Sequence, residues 1–445
     1  MEQTSQILTK ITCPHCWEIF STDRTLYVSQ HPELLGDPRL GPNASLRFLP
    51  SRFRVDGAAL DPNGFPSFQL ACPCCHLAIP RPLFETPSVF FSMIGAPGSG
   101  KSYFLAAMTW RLRQLLPQLF HLHLTDADPQ VNLRLQEYES LQFLNPDPNS
   151  VVQLAKTETY GDLYDAVVYG DQTVYYLRPF LFSLVPDVQH PLGSEAWRVA
   201  RTLCLYDNAG ESFLPGEDRA TTPVTRHLAL SKVIFVLFDP TQDVRFHREL
   251  TKLKLSSTAE IPAPATGTVR QETLFIEAVS RLRRYAGLSQ HQKLPAKIIV
   301  VVTKQDVWAP LCPDLQRVPS DFWRYVSLDS TKKTQGASGL TKNSAEHSTE
   351  KTAVLRSSLV HTLSGKVVEM LRRISPEFVS AIEGISEDAV YIPVSATGGE
   401  SVTDANGRKG FRPKDVHPKW TEVPMLYAIA TQLDGMIPHT LKLPR

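Results

Sequence analysis

Six short runs of unbroken apolar character punctuate the chain. They are "SVFFSMIG" (88–95), "VYYLRPFLFSLV" (174–185), "ARTLCLYD" (200–207), "KVIFVLFD" (232–239), "KIIVVVT" (297–303) and "VYIPVS" (390–395). Between them lie stretches of helical period, such as "KSYFLAAMTWRLRQLL" and "ETLFIEAVSRLRRYAGL". Strands that are apolar throughout, rather than alternating, are buried on both faces, and helices between them supply the cover. The pattern predicts an α/β fold with a mostly parallel sheet and helices on both faces. The second and third runs are joined only by a loop containing Pro and Gly, which predicts an antiparallel pair at that point.

The pattern changes at both ends of this region. Residues 1–85 hold short strand-like runs among prolines and form a separate small domain, and 86–445 form the larger one. Within the larger domain, residues 118–170 read as an insertion. Residues 320–352, rich in Ser, Thr and Lys, read as a mobile polar insertion with little to bury.

Composition narrows the possibilities. Lys plus Arg (46) nearly cancels Asp plus Glu (45) over 445 residues, so no strong net field draws the chain to nucleic acid or acidic lipid. No run approaches a membrane span or a secretory signal, and a soluble cytoplasmic protein is expected. Five of the seven cysteines precede residue 76. An odd total without a secretory signal argues against disulfides, and close pairs argue for metal.

"CPHCWEIF" (13–20) and "CPCCHLAI" (72–79) repeat one pattern, Cys-Pro-x-Cys before a short apolar strand. Four thiolates suit tetrahedral Zn²⁺ in a structural role, and the prolines tighten each turn so that N–H groups point at sulfur. The expected ligands are Cys13, Cys16, Cys72 and Cys75, with Cys74 or His76 as substitutes for one of them. The 55-residue spacer is long for a zinc ribbon, so 17–71 carries an insertion. Cys204 and Cys312 read as small core hydrophobes.

The chemistry of the larger domain starts at Gly95-Ala96-Pro97-Gly98-Ser99-Gly100-Lys101-Ser102, after a strand and before a helix. Glycines let backbone N–H groups close on phosphate oxygens, and the helix start adds free donors. Lys101 is expected to reach the β- and γ-phosphates and the Ser102 hydroxyl to hold Mg²⁺. Asp207 ends the third apolar run and suits the Mg²⁺ shell, while Gly210 offers a backbone N–H to the γ-phosphate. Thr303-Lys304-Gln305-Asp306 follows the fifth run. One carboxylate there, Asp306, can accept both N–H groups of a guanine edge, with the Lys304 stem over the purine face. Adenine would leave that carboxylate unpaired. Ser395-Ala396 follows the last run, where a backbone N–H suits the guanine carbonyl.

Taken in order, these segments resemble the P-loop GTPases of the translation-factor and Ras-like class over residues 88–440. The resemblance implies a P-loop NTPase sheet, GTP with Mg²⁺, and a switch that acts on a protein effector or complex partner. With the cysteine pairs, the chain resembles the zinc-ribbon GTPases of the bacterial double-GTPase type, which are associated with conflict or defence systems. The resemblance places Glu211 where that class has a catalytic Gln, implying slow or partner-activated hydrolysis. Arg219 and Arg226 could offset developing charge, although a solvated surface role is the simpler reading. Thr157, Thr159 and Thr173 are candidates for a switch threonine on Mg²⁺. Two other readings stay open: a nucleic-acid-associated P-loop ATPase, and a GTP-loaded scaffold that does not hydrolyse.

Overall fold

The computed structural model describes residues 7–155, 163–214, 223, 226–253, 269–327 and 351–440. Its centre is a seven-stranded sheet, whose strands we number in chain order: β1 (Ser88–Gly95), β2 (Leu122–Asp126), β3 (Phe180–Pro186), β4 (Arg201–Asp207), β5 (Val233–Phe238), β6 (Lys297–Val302) and β7 (Val390–Pro393). Across the sheet the order is β2-β3-β4-β1-β5-β6-β7. From β4 to β7 all neighbours are parallel. β3 runs against both β2 and β4, as the short connection between the second and third apolar runs predicts. Every residue of β5 and β6 is buried, as a strand covered on both faces requires.

Three sequence expectations change in detail. The run 174–185 is two strands, because Arg178-Pro179 interrupts it. Residues 172–177 pair with 164–169 in a separate hairpin, and β3 begins at Phe180. Residues 118–170 are not simply an insertion, since β2 lies on the edge of the main sheet and the helix Leu133–Phe143 packs on the helix after β1. The polar stretch 320–352 has ordered ends. Trp323–Ser327 pairs antiparallel with Lys351–Leu355, where Ala353 and Leu355 are fully buried. The rest of that stretch, 328–350, lies outside the described residues.

The N-terminal region is a set of short antiparallel ladders. Lys10–Thr12 pairs with Ile19–Ser21, and a four-stranded sheet takes the order 78–79, 70–71, 26–28, 47–48. It does not stand apart. Its cysteines share one apolar cluster with Phe90 of β1, Leu181 of β3, Cys204 and Tyr206 of β4, and the 164–177 hairpin. Cys204 and Cys312 are buried, as expected of core residues.

Candidate functional sites: a glycine-rich loop and a four-cysteine centre

In a parallel sheet a ligand crevice forms at the carboxyl ends of the strands, where successive connections leave toward opposite sides. β1 is that strand here, with β4 on one side and β5 on the other. The register puts Met93 opposite Asp207, Gly95 opposite Leu237, and Phe238 opposite Val302, so the loops after four strands leave the sheet together.

The glycine-rich loop runs from Gly95 to the helix Lys101–Leu115, which we name α1. Gly98 and Gly100 have φ of 73° and 89°, values that side-chain-bearing residues rarely adopt. Gly100 caps α1 in this left-handed conformation. Gly210 packs directly on the loop: a Cβ there would lie 2.5 Å from the Pro97 nitrogen and 2.7 Å from the Gly95 oxygen. The buried Lys101 ammonium donates to the carbonyls of Gly95 (2.8 Å) and Ala96 (3.1 Å). Burial lowers its pKa, while the carboxylates of Asp207 and Glu211 pull it back up, so both acids are electrostatic neighbours of this lysine. The buried Ser99 hydroxyl has no hydrogen-bond partner among the described residues. Ser102 lies half-buried in the first turn of α1.

The distant segments arrive at this loop. Thr303 Oγ1 donates to the Ser99 carbonyl at 2.9 Å, across 204 positions of sequence. Lys304 takes a left-handed φ of 56°, and its ammonium pairs with the fully buried Asp239 at 2.6 Å. The exposed Asp306 accepts a short hydrogen bond from Ser395, whose hydroxyl also receives the Gly398 N–H at 2.9 Å. Ala396 follows, half-buried. Gly95, Gly98, Ser99, Gly100, Lys101, Ser102, Asp207, Gly210, Glu211, Thr303, Lys304, Asp306, Ser395 and Ala396 therefore all lie at the carboxyl ends of the parallel strands or in the segments that directly follow them.

Some residues there escape the sequence reading. Asp239 directly follows β5, at the position corresponding to Asp207 at the end of β4; it pairs with Lys304 and accepts from Thr241 N and Oγ1. Its signal, an Asp closing an apolar strand, was visible in "VLFD". Gln242 donates to the Pro97 carbonyl at 3.1 Å. Arg281, fully buried, donates to the carbonyls of Ser212 (2.6 Å) and Leu214 (2.7 Å) and pins the turn that carries Glu211. Arg226 pairs with Glu18 at 2.7 Å. Thr173 lies in the 164–177 hairpin, which is tied to the cysteine domain through Val168 N to the Arg39 carbonyl. Arg219, Thr157 and Thr159 lie outside the described residues.

The second site is built from two equivalent turns. In each, the residue after the second cysteine is left-handed, Trp17 at 62° and His76 at 65°. In each, its N–H returns to the first cysteine's carbonyl, at 3.1 and 3.0 Å. In each, an N–H points at the first sulfur: His15 N to Cys13 Sγ at 3.4 Å, Cys74 N to Cys72 Sγ at 3.3 Å. Sulfurs of Cys13, Cys16, Cys72 and Cys75 all lie within 4.8 Å of one another and are buried. The pairs Cys13–Cys75 and Cys16–Cys72 are 3.7 Å apart. A tetrahedron with Zn–S of about 2.3 Å has edges of about 3.8 Å, so four thiolates at these spacings fit Zn²⁺. Burial pushes the Cys13 thiol well up, whereas hydrogen bonds from the neighbouring sulfurs favour the Cys16 thiolate. Cys74 and His76 lie outside this cluster. Burial and nearby sulfurs raise the Cys74 thiol to about 11, and His76 Nδ1 turns to Asp37 at 2.8 Å.

No helix among the described residues is long and apolar enough to cross a membrane. No protein-family model matches the chain, and no curated protein matches it.

Proposed function

We propose that this protein binds GTP with Mg²⁺ and hydrolyses it slowly as a molecular switch, with a zinc-bound cysteine module that serves its structure or recognises a partner. The observation that carries the reading is the hydrogen bond from Thr303 to the Ser99 carbonyl. It brings the segment expected to read the base against the loop expected to hold the phosphates. Packing of Gly210 on that loop adds the third segment.

In this reading the N–H groups of residues 98–102 and the Lys101 ammonium hold the β- and γ-phosphates. The buried Ser99 hydroxyl, without a partner among the described residues, suits such a ligand. Ser102 and Asp207 would hold Mg²⁺, which offsets charge on the phosphate oxygens. Glu211 orients the attacking water and takes its proton as the new O–P bond forms and the bond to the β-phosphate breaks, releasing GDP and phosphate. A carboxylate so near the γ-phosphate opposes the incoming charge, so turnover is slow without a partner. Asp306 takes the two N–H groups of guanine in place of the Ser395 hydroxyl it now holds. A role in a bacterial defence system rests on the resemblance alone.

The same electrostatic contact of Glu211 with Lys101 favours, as a second reading, a GTP-loaded scaffold without turnover. A nucleic-acid-associated ATPase has less support, given the balanced charge. Equilibrium binding of fluorescent GTP and ATP separates the nucleotides, and single-turnover hydrolysis separates switch from scaffold. Lys101→Ala should abolish binding and Asp306→Asn should erase the preference for guanine. Equal affinity of the unmodified chain for ATP and GTP removes the base assignment.

A further inference from the structure

The four-cysteine centre and the Asp207 turn are wired together through the sheet. Successive residues of a strand face opposite sides, so Tyr206 points away from the side taken by Asp207. Tyr206 Oη donates to the Pro14 carbonyl at 2.6 Å and accepts from Trp17 Nε1 at 3.1 Å. Both partners belong to the first cysteine turn. The fully buried Tyr206 ring stacks on His227, with centroids 4.3 Å apart and planes 10° from parallel. His227 Nε2 meets Asn208 Oδ1 at 3.0 Å, and Asn208 Nδ2 donates to the Met93 carbonyl at 3.1 Å. The Trp17 ring lies 5.8 Å from His227. Beside it, Arg226 is paired with Glu18 of the same turn. Both chain neighbours of Asp207 are thus held by the cysteine turn, Tyr206 directly and Asn208 through His227.

We propose that the Cys13–Cys16 turn is a positioning element for the Asp207–Gly210 segment. Metal on the four cysteines fixes Pro14 and Trp17, these fix Tyr206 and His227, and those set Asp207 and Asn208 against the glycine-rich loop. The cysteine module is then part of the loop's geometry rather than an appended tag. Only the consequence for nucleotide binding rests on the GTP reading above; the mechanical coupling stands without it.

Tyr206→Phe tests this in the full-length zinc-loaded chain. It keeps the ring stack and removes both hydrogen bonds to the cysteine turn, leaving a buried carbonyl and indole N–H without their partner. Hydrogen exchange measured without nucleotide should quicken about tenfold across 207–214, with β6 (297–302) unchanged as the internal reference. Stripping zinc from the unmodified chain should produce the same local change and add little to Tyr206→Phe. Exchange across 207–214 within twofold of the unmodified chain in Tyr206→Phe overturns the proposal, whatever zinc removal does to the fold as a whole. A second readout is the Mg²⁺ dependence of GTP binding. Tyr206→Phe should raise the Mg²⁺ needed for half-maximal affinity while leaving Mg²⁺-free affinity alone, a split that general destabilisation would not produce. Equal losses with and without Mg²⁺ also count against the proposal. A chain that binds no guanine nucleotide overturns the proposed function instead and leaves the exchange measurement to decide the coupling.

Discussion

Replacing Gly210 by alanine puts one methyl group where there is no room. The added Cβ would lie 2.5 Å from the Pro97 nitrogen, 2.7 Å from the Ala96 carbonyl carbon and 2.7 Å from the Gly95 oxygen. All three are backbone atoms, so no side chain can rotate aside. Restoring ordinary contact near 3.4 Å requires the loop and the Gly210 turn to part by about 1 Å. Overpacking of this kind costs about 1–3 kcal/mol of stability. The functional cost is of similar size, because a catalytic site displaced by about 1 Å loses on the order of a hundredfold in rate. The expected result is a folded chain whose GTP turnover falls about a hundredfold and whose GTP affinity also falls. Thermal unfolding, fluorescent-nucleotide titration and single-turnover hydrolysis measure the three quantities. Turnover and affinity within twofold of the unmodified chain would refute the reasoning, since Gly210 could not then be in contact with a loop that holds the nucleotide.

Arg281→Lys loses the fork that holds the carbonyls of Ser212 and Leu214, at about 1.5–3 kcal/mol per charged hydrogen bond, and should lower GTP turnover more than GTP affinity. Unchanged single-turnover kinetics would show that the Glu211 turn is held by something else. Metal analysis should find one Zn²⁺ per chain, lost in Cys72→Ser and retained in Cys74→Ser; loss in both would return Cys74 to the ligand set. His190 accepts the Leu192 N–H at Nδ1 and faces the Met436 carbonyl through Nε2, which fixes the neutral ring, and burial lowers its pKa. The unfolded chain binds the proton first, so stability falls as pH drops below about 6.5. Denaturant titrations from pH 7 to 5 should show a shallower fall in His190→Gln, and an identical slope would exclude His190 as a contributor.

The sheet was readable because its inner strands are apolar on both faces, a pattern that needs no partner to interpret. β2 was hidden for the opposite reason. As an edge strand, "LHLTD" alternates buried and open positions and looks like an ordinary surface segment. The split at Arg178-Pro179 was masked because apolar residues continue on both sides of it. For the cysteine centre, spacing alone left Cys74 and His76 as rivals, and only the left-handed residue after each pair shows which sulfurs turn inward. The glycine-rich loop and its companions were legible as short motifs. Gln242 and Arg281 were not legible, since each works through a contact made far along the chain. Tyr206 is a further case: its hydroxyl finds Pro14 across 192 positions, and a Tyr within an apolar strand is otherwise an ordinary core residue.

The two cysteine turns bracket the stretch from Trp17 to Ala71, and an ion held by both would act as a rivet at its base. The entropy of closing such a loop grows only slowly with its length. Shortening, lengthening or exchanging the exposed tip at 51–57 should therefore leave the riveted base intact, whereas Asp37, Arg39 and Arg47 tie the rest of the stretch to His76 and Val168. At that exposed tip a foreign segment could be grafted without disturbing the sheet beneath.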